Sequence, residues 1–177
     1  ILGARPSVGK TAFALNLARN AAVEFGEGVA FFSLEMTDME LTDRLIASES
    51  GISADKLKGK VKMNPEEWVV LEQSIKRLVK APLYIDETPG ITLTEFTAKA
   101  KRLVREKGVK IIFVDYLQLM HSGKPQQGGF SKVQEVTEIS NTLKTTAKDL
   151  KVPIIALAQL NRNLMSRAGS NGKPVLS

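Results

Sequence analysis

Cysteine is absent from this chain of 177 residues, histidine occurs once, and aromatic residues make up only 6% of it. Without cysteine there is neither a disulfide framework nor a Cys-ligated metal site, which agrees with a reducing, cytoplasmic setting. No apolar run approaches the ~18 residues that predict a membrane span, so we expect no membrane partner.

The chain also lacks an initial methionine and a signal-peptide pattern. Its first residues, Ile1-Leu2-Gly3, are typical of the end of a buried strand, and residues 169–177 are polar with glycine and proline. We therefore expect a piece of a longer protein, cut at both ends. Its length favours one domain over residues 1–177.

The charge balance is basic, with 25 lysines and arginines against 19 acidic residues and a net charge of +6. Such a balance favours an anionic partner, such as a nucleotide or a nucleic acid. Many domains are mildly basic and bind neither, so the charge by itself favours this interpretation only slightly.

The start of the chain carries the most specific pattern. Residues 4–11 read Ala-Arg-Pro-Ser-Val-Gly-Lys-Thr, which is the P-loop pattern G-x-x-x-x-G-K-[ST] with Ala4 at the first glycine position. Backbone N–H groups of such a loop, and of the first turn of the helix after it, point at phosphate oxygens. The residues predicted to bind a nucleotide here are Arg5, Pro6, Ser7, Val8, Gly9, Lys10, Thr11 and Ala12.

Three residues of the loop have predicted chemical roles. Gly9 lets the backbone approach an anion closely, where a Cβ would obstruct it. Lys10 supplies charge for the outer phosphates, and the Thr11 hydroxyl is a candidate Mg²⁺ ligand. Alanine at position 4 is tolerated if its φ stays negative. The alternative, a Gly-Lys-Thr turn without a ligand, stays open on this motif alone.

Short apolar runs alternate with helical patterns along the chain. The runs at 29–33, 83–85, 111–114 and 153–158 are typical of buried parallel strands. Their alternation with helices predicts an α/β fold, a parallel sheet covered by helices on both faces. Ligands of such sheets bind beyond the carboxyl ends of the strands.

The helical patterns allow further expectations. A helix over residues 10–25 is apolar on several sides, so we expect it to be buried. Capping-box spacings predict helix starts at Thr37 and Thr92. Periodicity places Trp68 in the core and Val133 on the inward face of a long helix.

Acidic and amide side chains follow the predicted strands. A P-loop ATPase needs an acid near the Mg²⁺ shell and a carboxylate that orients the attacking water. Asp115 and the pair Asp86-Glu87 compete for the first role, and the fully apolar strand before Asp115 favours it as the more central. Glu35 is the candidate for the second role, with a helix-dipole acid as its alternative. Gln159 senses the γ-phosphate, bridges to a second surface or is a solvated loop amide.

Two lysines flank a stretch rich in glycine, glutamine and serine. Lys124 and Lys132 are candidates for contact with a nucleic-acid backbone. A flexible loop without such a contact is an equal alternative.

Five segments, in order along the chain, resemble motifs of DnaB-type replicative helicases. The P-loop at 3–11, with its alanine, is similar to that family's P-loop, and Phe-Ser-Leu-Glu-Met at 32–36 is similar to its strand-end glutamate motif. Asp-Arg-Leu-Ile-Ala at 43–47 resembles the next helix. Val-Asp-Tyr-Leu-Gln-Leu-Met at 114–120 resembles the Walker B motif, and 156–162 resembles the following strand-end motif.

The resemblance implies a RecA-like P-loop ATPase that uses ATP and Mg²⁺ to unwind duplex DNA. It implies that Lys10 and Thr11 serve the phosphates and the metal, with Asp115 in the metal shell. It further implies that Glu35 is the catalytic carboxylate and that Arg44 contacts the nucleotide. The competition between the two strand ends is thereby decided for Asp115.

The resemblance also implies partners. Gln159 and Arg162 would couple the nucleotide to DNA-contacting loops, and the whole protein would form a hexameric ring around single-stranded DNA, with primase and a helicase loader as further partners. One departure is Ser131-Lys132, where the family usually has Asn-Arg; charge is kept but bidentate phosphate contact is lost.

We expect the piece alone to be a weak or inactive ATPase. The family's collar domain, linker helix and later strands lie outside these residues. Hydrolysis in rings takes a cation from the adjacent subunit, a contribution on the order of 10³ in rate.

Three other functions are alternatives to this one. A RecA-like recombination or repair ATPase would share the fold, but the amino-acid sequences of the motifs at 32–36 and 115–120 argue against it. A nucleotide-gated DNA-binding or loading module would bind ATP without rapid turnover. A small-molecule kinase would need an arginine-rich lid, which the sequence does not clearly show.

Overall fold

A computed structural model describes residues 1–5, 7–123 and 132–159, with the backbone alone at Lys132. Its strands form one five-stranded sheet in which every pairing is parallel. They are β1 Leu2–Ala4, β2 Gly28–Ser33, β3 Leu83–Asp86, β4 Val109–Asp115 and β5 Ile154–Gln159. The predicted strands are therefore confirmed, and β4 begins two residues before its apolar run.

Six α-helices connect and flank these strands within the described residues. They are α1 Lys10–Arg19, α2 Asp38–Ser50, α3 Ala54–Leu57, α4 Pro65–Lys80, α5 Leu93–Lys107 and α6 Lys132–Leu150. A π-helical turn, Asn20–Glu24, continues α1, and a 3₁₀ turn, Leu117–Leu119, follows β4. Complete capping boxes begin α2 at Thr37 and α5 at Thr92, as predicted.

The order of the strands is β1-β5-β4-β2-β3. Among the five described strands, β4 is the central one, so Asp115 ends a more central strand than Asp86 does, as predicted. β3 lies at an edge, so Asp86 is remote from the loop that follows β1. One whole strand, β5, separates β1 from β4.

Each face of the sheet has its own apolar layer, because successive strand residues point to opposite faces. Ala30 and Phe32 of β2 pack in the layer that includes α5 and α6, whereas Val29 and Phe31 pack in the layer that includes α1 and α2. Phe32 meets Phe96 of α5 edge to face, with ring centroids 4.8 Å apart. This double coverage explains why the strands read as continuous apolar runs.

Three expectations about burial are wrong. Trp68 is 57% exposed, because α4 packs against α2 with Leu71 and Ser74 rather than Trp68 inward. Val133 is 75% exposed at the start of α6. The first helix is buried on one side only, and Phe13 and Phe25 are exposed. Among the described helices, none is long and apolar enough to cross a membrane.

Candidate nucleotide-binding site

A cleft of about 450 Å³ lies at the carboxyl ends of β1, β2 and β5. Its lining brings together residues that are far apart in the sequence: Arg5, Ser7, Gly9, Lys10, Thr11, Ala12, Glu35, Met36, Arg44 and Gln159. Val8 is 69% exposed and does not line it. The remaining predicted site residues Pro6, Lys124 and Arg162, and the side chain of Lys132, lie outside the described residues.

A second cavity, of about 500 Å³, lies against α6 and the first residues of β5. Its walls are mostly apolar, and the charged groups that line it are the three lysines Lys144, Lys148 and Lys151. None of its described lining residues carries a carboxylate. The chemistry predicted from the sequence therefore belongs to the smaller, more polar cleft.

The loop after β1 has an unusual backbone. Ala4 is the last residue of β1 and has no positive φ, which is the condition under which alanine is tolerated there. Gly9 has φ +93° immediately before α1. A Cβ added to Gly9 would meet no heavy atom of the described residues within 4 Å, and its positive φ is a backbone conformation that glycine adopts without strain. Ser7 also has a positive φ, 63°, which sequence reasoning missed.

Asp115 lies beneath the cleft and is 2% exposed. The Thr11 hydroxyl donates a hydrogen bond of 2.5 Å to its Oδ2, and Lys10 Nζ lies 3.3 Å from its Oδ1. Oδ1 accepts no hydrogen bond from the described residues, so its contact with Lys10 is ionic only. A buried carboxylate oxygen without a hydrogen-bond donor, next to a hydroxyl, suits a hard cation such as Mg²⁺.

No group of three or more acidic or histidine side chains that could hold a metal occurs within the described residues. A metal at Asp115 and Thr11 would therefore rely on phosphate and water for most of its ligands. Mg²⁺ in phosphate sites is typically bound in this way, through one or two protein oxygens. The donor set fits Mg²⁺ accompanied by a phosphorylated ligand.

The aromatic ring of Tyr116 lies against Lys10. The Lys10 ammonium lies 4.3 Å from the centroid of the Tyr116 ring, within the range of a cation–π contact. Burial, together with the negative charges of Glu35 and Asp115, raises the pKa of Tyr116 above its usual value. The ring therefore stays neutral at physiological pH. Sequence reasoning missed this residue, although it directly follows Asp115.

Glu35 is placed by the end of β2. Ser33 is in register with Asp115, and the N–H of Leu34 donates to the Asp115 carbonyl oxygen at 2.8 Å. The Ser33 hydroxyl donates to the Met36 carbonyl oxygen at 2.7 Å and accepts from the Met36 N–H at 3.3 Å, which turns the chain. Glu35 is left exposed in the cleft.

Arg44 reaches the cleft from α2, which is fastened to the helix after the P-loop. The Ser48 hydroxyl donates to Asn16 Oδ1 at 2.5 Å, and Arg19 pairs with the side chain of Glu49, which is fully buried. At the other end of α2, the Glu87 carboxylate accepts from the Asp38 N–H at 2.7 Å. These contacts set the position from which Arg44 faces the P-loop.

Asp86 has a structural role at the edge of the sheet. Lys99 Nζ lies 2.7 Å from its Oδ2, and the N–H of Thr88 donates to its Oδ1 at 3.1 Å. Partial burial opposes ionisation of Asp86, but the hydrogen bonds from Lys99 and Thr88 outweigh it and lower its pKa. It does not line the cleft.

A parallel sheet with helices on both faces, a Gly-Lys-Thr loop after β1 and a buried aspartate at the end of β4 define a P-loop domain of RecA-like fold. A model of the DnaB-like helicase C terminal domain matches residues 1–177. The chain belongs to that family.

Curated relatives and solved structures agree with this assignment. The chain is 44% identical over 178 residues to the replicative DNA helicase DnaB of Geobacillus stearothermophilus and, likewise, to the replicative DNA helicase DnaC of Bacillus subtilis (strain 168). Each match covers 100% of this chain and 38% of the relative, so the chain spans well under half of their length.

Two solved structures superpose with a TM-score of 0.86. One shows a DnaB-like replicative helicase and its interactions with primase, is 34% identical, and covers 99% of this chain and 41% of that chain. The other is an ATPase domain that is 33% identical, and the match covers 99% of this chain and 61% of that chain. The family and fold expected from the motifs are thus confirmed.

Proposed function

We propose that this domain binds and hydrolyses Mg-ATP as the motor of a ring-forming replicative helicase. The observation that carries the proposal is the cluster of Lys10, Thr11 and Asp115 below a cleft that Glu35 enters from the neighbouring loop. The names of the relatives support the helicase activity, because they are replicative DNA helicases.

The residues divide the work according to their chemistry. Lys10 neutralises the outer phosphates, and Thr11 and Asp115 hold Mg²⁺, which supplies charge neutralisation on the phosphate oxygens when bound. Glu35 is exposed and forms no ion pair with the described residues, so its carboxylate is available to orient a water. Arg44 and Gln159 contact the nucleotide from α2 and β5.

Exchanging Glu35 for glutamine in the full-length gene product tests the catalytic assignment. Glu35→Gln is expected to keep Mg-ATP affinity within about twofold but to lower turnover by ~10²–10⁴-fold, since it removes general-base catalysis alone. Glu27→Gln is the matched control, because Glu27 is exposed beside the opposite ends of the strands. Unchanged turnover in Glu35→Gln would contradict the assignment.

DNA coupling is tested by ATP hydrolysis with and without single-stranded DNA, at low and high salt. We propose strong stimulation that weakens with salt, because phosphate contacts release counterions. If the rate of ATP hydrolysis does not change with DNA, or if ATP binds without being hydrolysed, a loading module or a kinase is favoured instead.

Assembly is the remaining element of the proposal. We propose a hexamer around single-stranded DNA and contact with primase, the latter supported by the described interactions of a DnaB-like relative with primase. Because a neighbour's cation is needed for rapid hydrolysis, the 177-residue piece is expected to turn over ATP on the order of 10³ more slowly than the ring. Comparable rates for piece and full-length protein would contradict this dependence.

A further inference from the structure

The last residues of β5 extend beyond the end of the neighbouring strand β4. β4 and β5 are in register from Ile112 with Ile154 to Val114 with Ala156. After Asp115 the chain leaves the sheet and enters the 3₁₀ turn at Leu117–Leu119. On this side, therefore, the last residues of β5 have no strand of the described sheet beside them.

The side chain of Gln118 takes the place of the missing strand. Its Nε2 donates to the Gln159 carbonyl oxygen at 3.1 Å, and its Oε1 accepts from the Gln159 N–H at 3.2 Å. A primary amide has one donor and one acceptor side, so it reproduces what a neighbouring peptide group would offer. On the opposite side, β1 pairs Ala4 with Gln159.

We propose that Gln118 is a positioning residue for the nucleotide site: its amide clamps the backbone of Gln159 so that the Gln159 side chain enters the phosphate cleft. This inference rests on the proposed ATPase function. It also joins two segments, because Gln118 lies three residues after Asp115 and Gln159 ends β5. A change at Asp115 would then reach Gln159 through a single side chain.

The residue type is specific to this geometry. Glutamate has the same length and keeps the acceptor for the Gln159 N–H, but it sets a carboxylate against the Gln159 carbonyl oxygen. Leucine keeps similar bulk and makes neither bond. Because Gln118 is only partly buried, both replacements are compatible with folding.

A double-mutant cycle in the full-length gene product tests the proposal. Gln118→Leu is expected to lower kcat for ATP by about tenfold with KM within about twofold, the signature of a lost transition-state interaction. If Gln118 acts through Gln159, the double variant with Gln159→Ala is no slower than Gln159→Ala alone. Gln118→Glu is expected between the parent and Gln118→Leu. Gln73→Leu, the same exchange on exposed α4, is the control.

Hydrogen exchange measured by mass spectrometry supplies a readout independent of turnover. Exchange over residues 154–159 is expected to rise in Gln118→Leu and to stay at the parent level in Gln73→Leu. Multiplicative losses in the cycle, unchanged kcat in Gln118→Leu, or unchanged exchange at β5 would each overturn the proposal. If the parent hydrolyses no ATP, the proposed function fails, and the exchange result alone decides whether Gln118 positions Gln159.

Discussion

Removing Glu49 should be one of the most damaging single changes outside the apolar core. Its carboxylate is fully buried between α1, α2 and α4, with Arg19 Nε 2.5 Å from Oε2 and Arg77 Nη1 2.8 Å from Oε1. Arg77 is not aligned for a hydrogen bond, since Glu49 Oε1 accepts none from the described residues, so that contact is ionic only. Glu24 lies 3.0 Å from Arg19 and 3.2 Å from Arg77.

The loss of folding stability depends on which acidic partners the two arginines keep when Glu49 is removed. Losing one member of a buried ion pair costs about 3–5 kcal/mol when the partner charge is stranded. Arg19 and Arg77 keep Glu24, and Arg77 is 53% exposed, so Glu49→Ala is expected at about 2–3 kcal/mol, below that range. For a domain of this size, that lowers Tm by roughly 4–12 °C.

Thermal unfolding followed by circular dichroism measures the effect, with Glu72→Ala as the matched control. Glu72 pairs with Lys76 at 2.6 Å, but both side chains are 67% exposed, and such pairs add little to stability. The two variants therefore differ mainly in burial. If Glu49→Ala lowers Tm no more than Glu72→Ala, burial does not decide the contribution of this ion cluster, and the reasoning is refuted.

Three further changes have defined outcomes. Thr92→Ala removes the capping box of α5 and should cost about 1 kcal/mol in urea unfolding, with a loss near zero contradicting the cap's contribution. Asp86→Asn should lower stability at neutral pH. Folding lowers the pKa of Asp86 from its ordinary value of 3.8, so the ionised carboxylate stabilises the folded protein fully above about pH 5. This stabilisation disappears as the pH falls through 3.8 towards the lower pKa of the folded state, so the stabilities of the variant and the parent should converge in acid. Lys10→Met should weaken Mg-ATP binding by roughly 10–100-fold, the value of a charged hydrogen bond, in a fluorescent-nucleotide titration. Lys101→Met on exposed α5 is its control, and equal affinities would remove Lys10 from the site.

Local signals in the sequence were enough for most of the framework. Thr37 and Thr92 mark helix starts because a capping box depends only on two residues that are close together in the sequence. The purely apolar run before Asp115 indicated a central strand, because both of its faces are covered. The P-loop, Asp115 and Glu35 lie close together because the carboxyl ends of parallel strands meet at the same edge of the sheet.

What the sequence left open depends on contacts between distant residues. Periodicity identified an apolar face around Trp68 but not whether anything covers it, and the described residues leave it exposed. The side chains of Ser33 and Gln118 form hydrogen bonds with backbone groups of other residues, and no sequence spacing predicts these bonds. Gln118 in particular meets Gln159 across 41 positions. Only the fold brings those two residues together.

The P-loop is an exposed segment in front of a well-packed helix. Arg5, Ser7, Val8 and Gly9 are exposed, whereas Ala14, Leu15 and Ala18 of α1 are buried. An exposed loop of this kind opens at a small fraction of the global unfolding free energy. A ligand that binds only the closed loop suppresses that opening by mass action. Protease cleavage within residues 7–9 should therefore slow in proportion to nucleotide occupancy, so cleavage of the loop reports binding even when no ATP is hydrolysed.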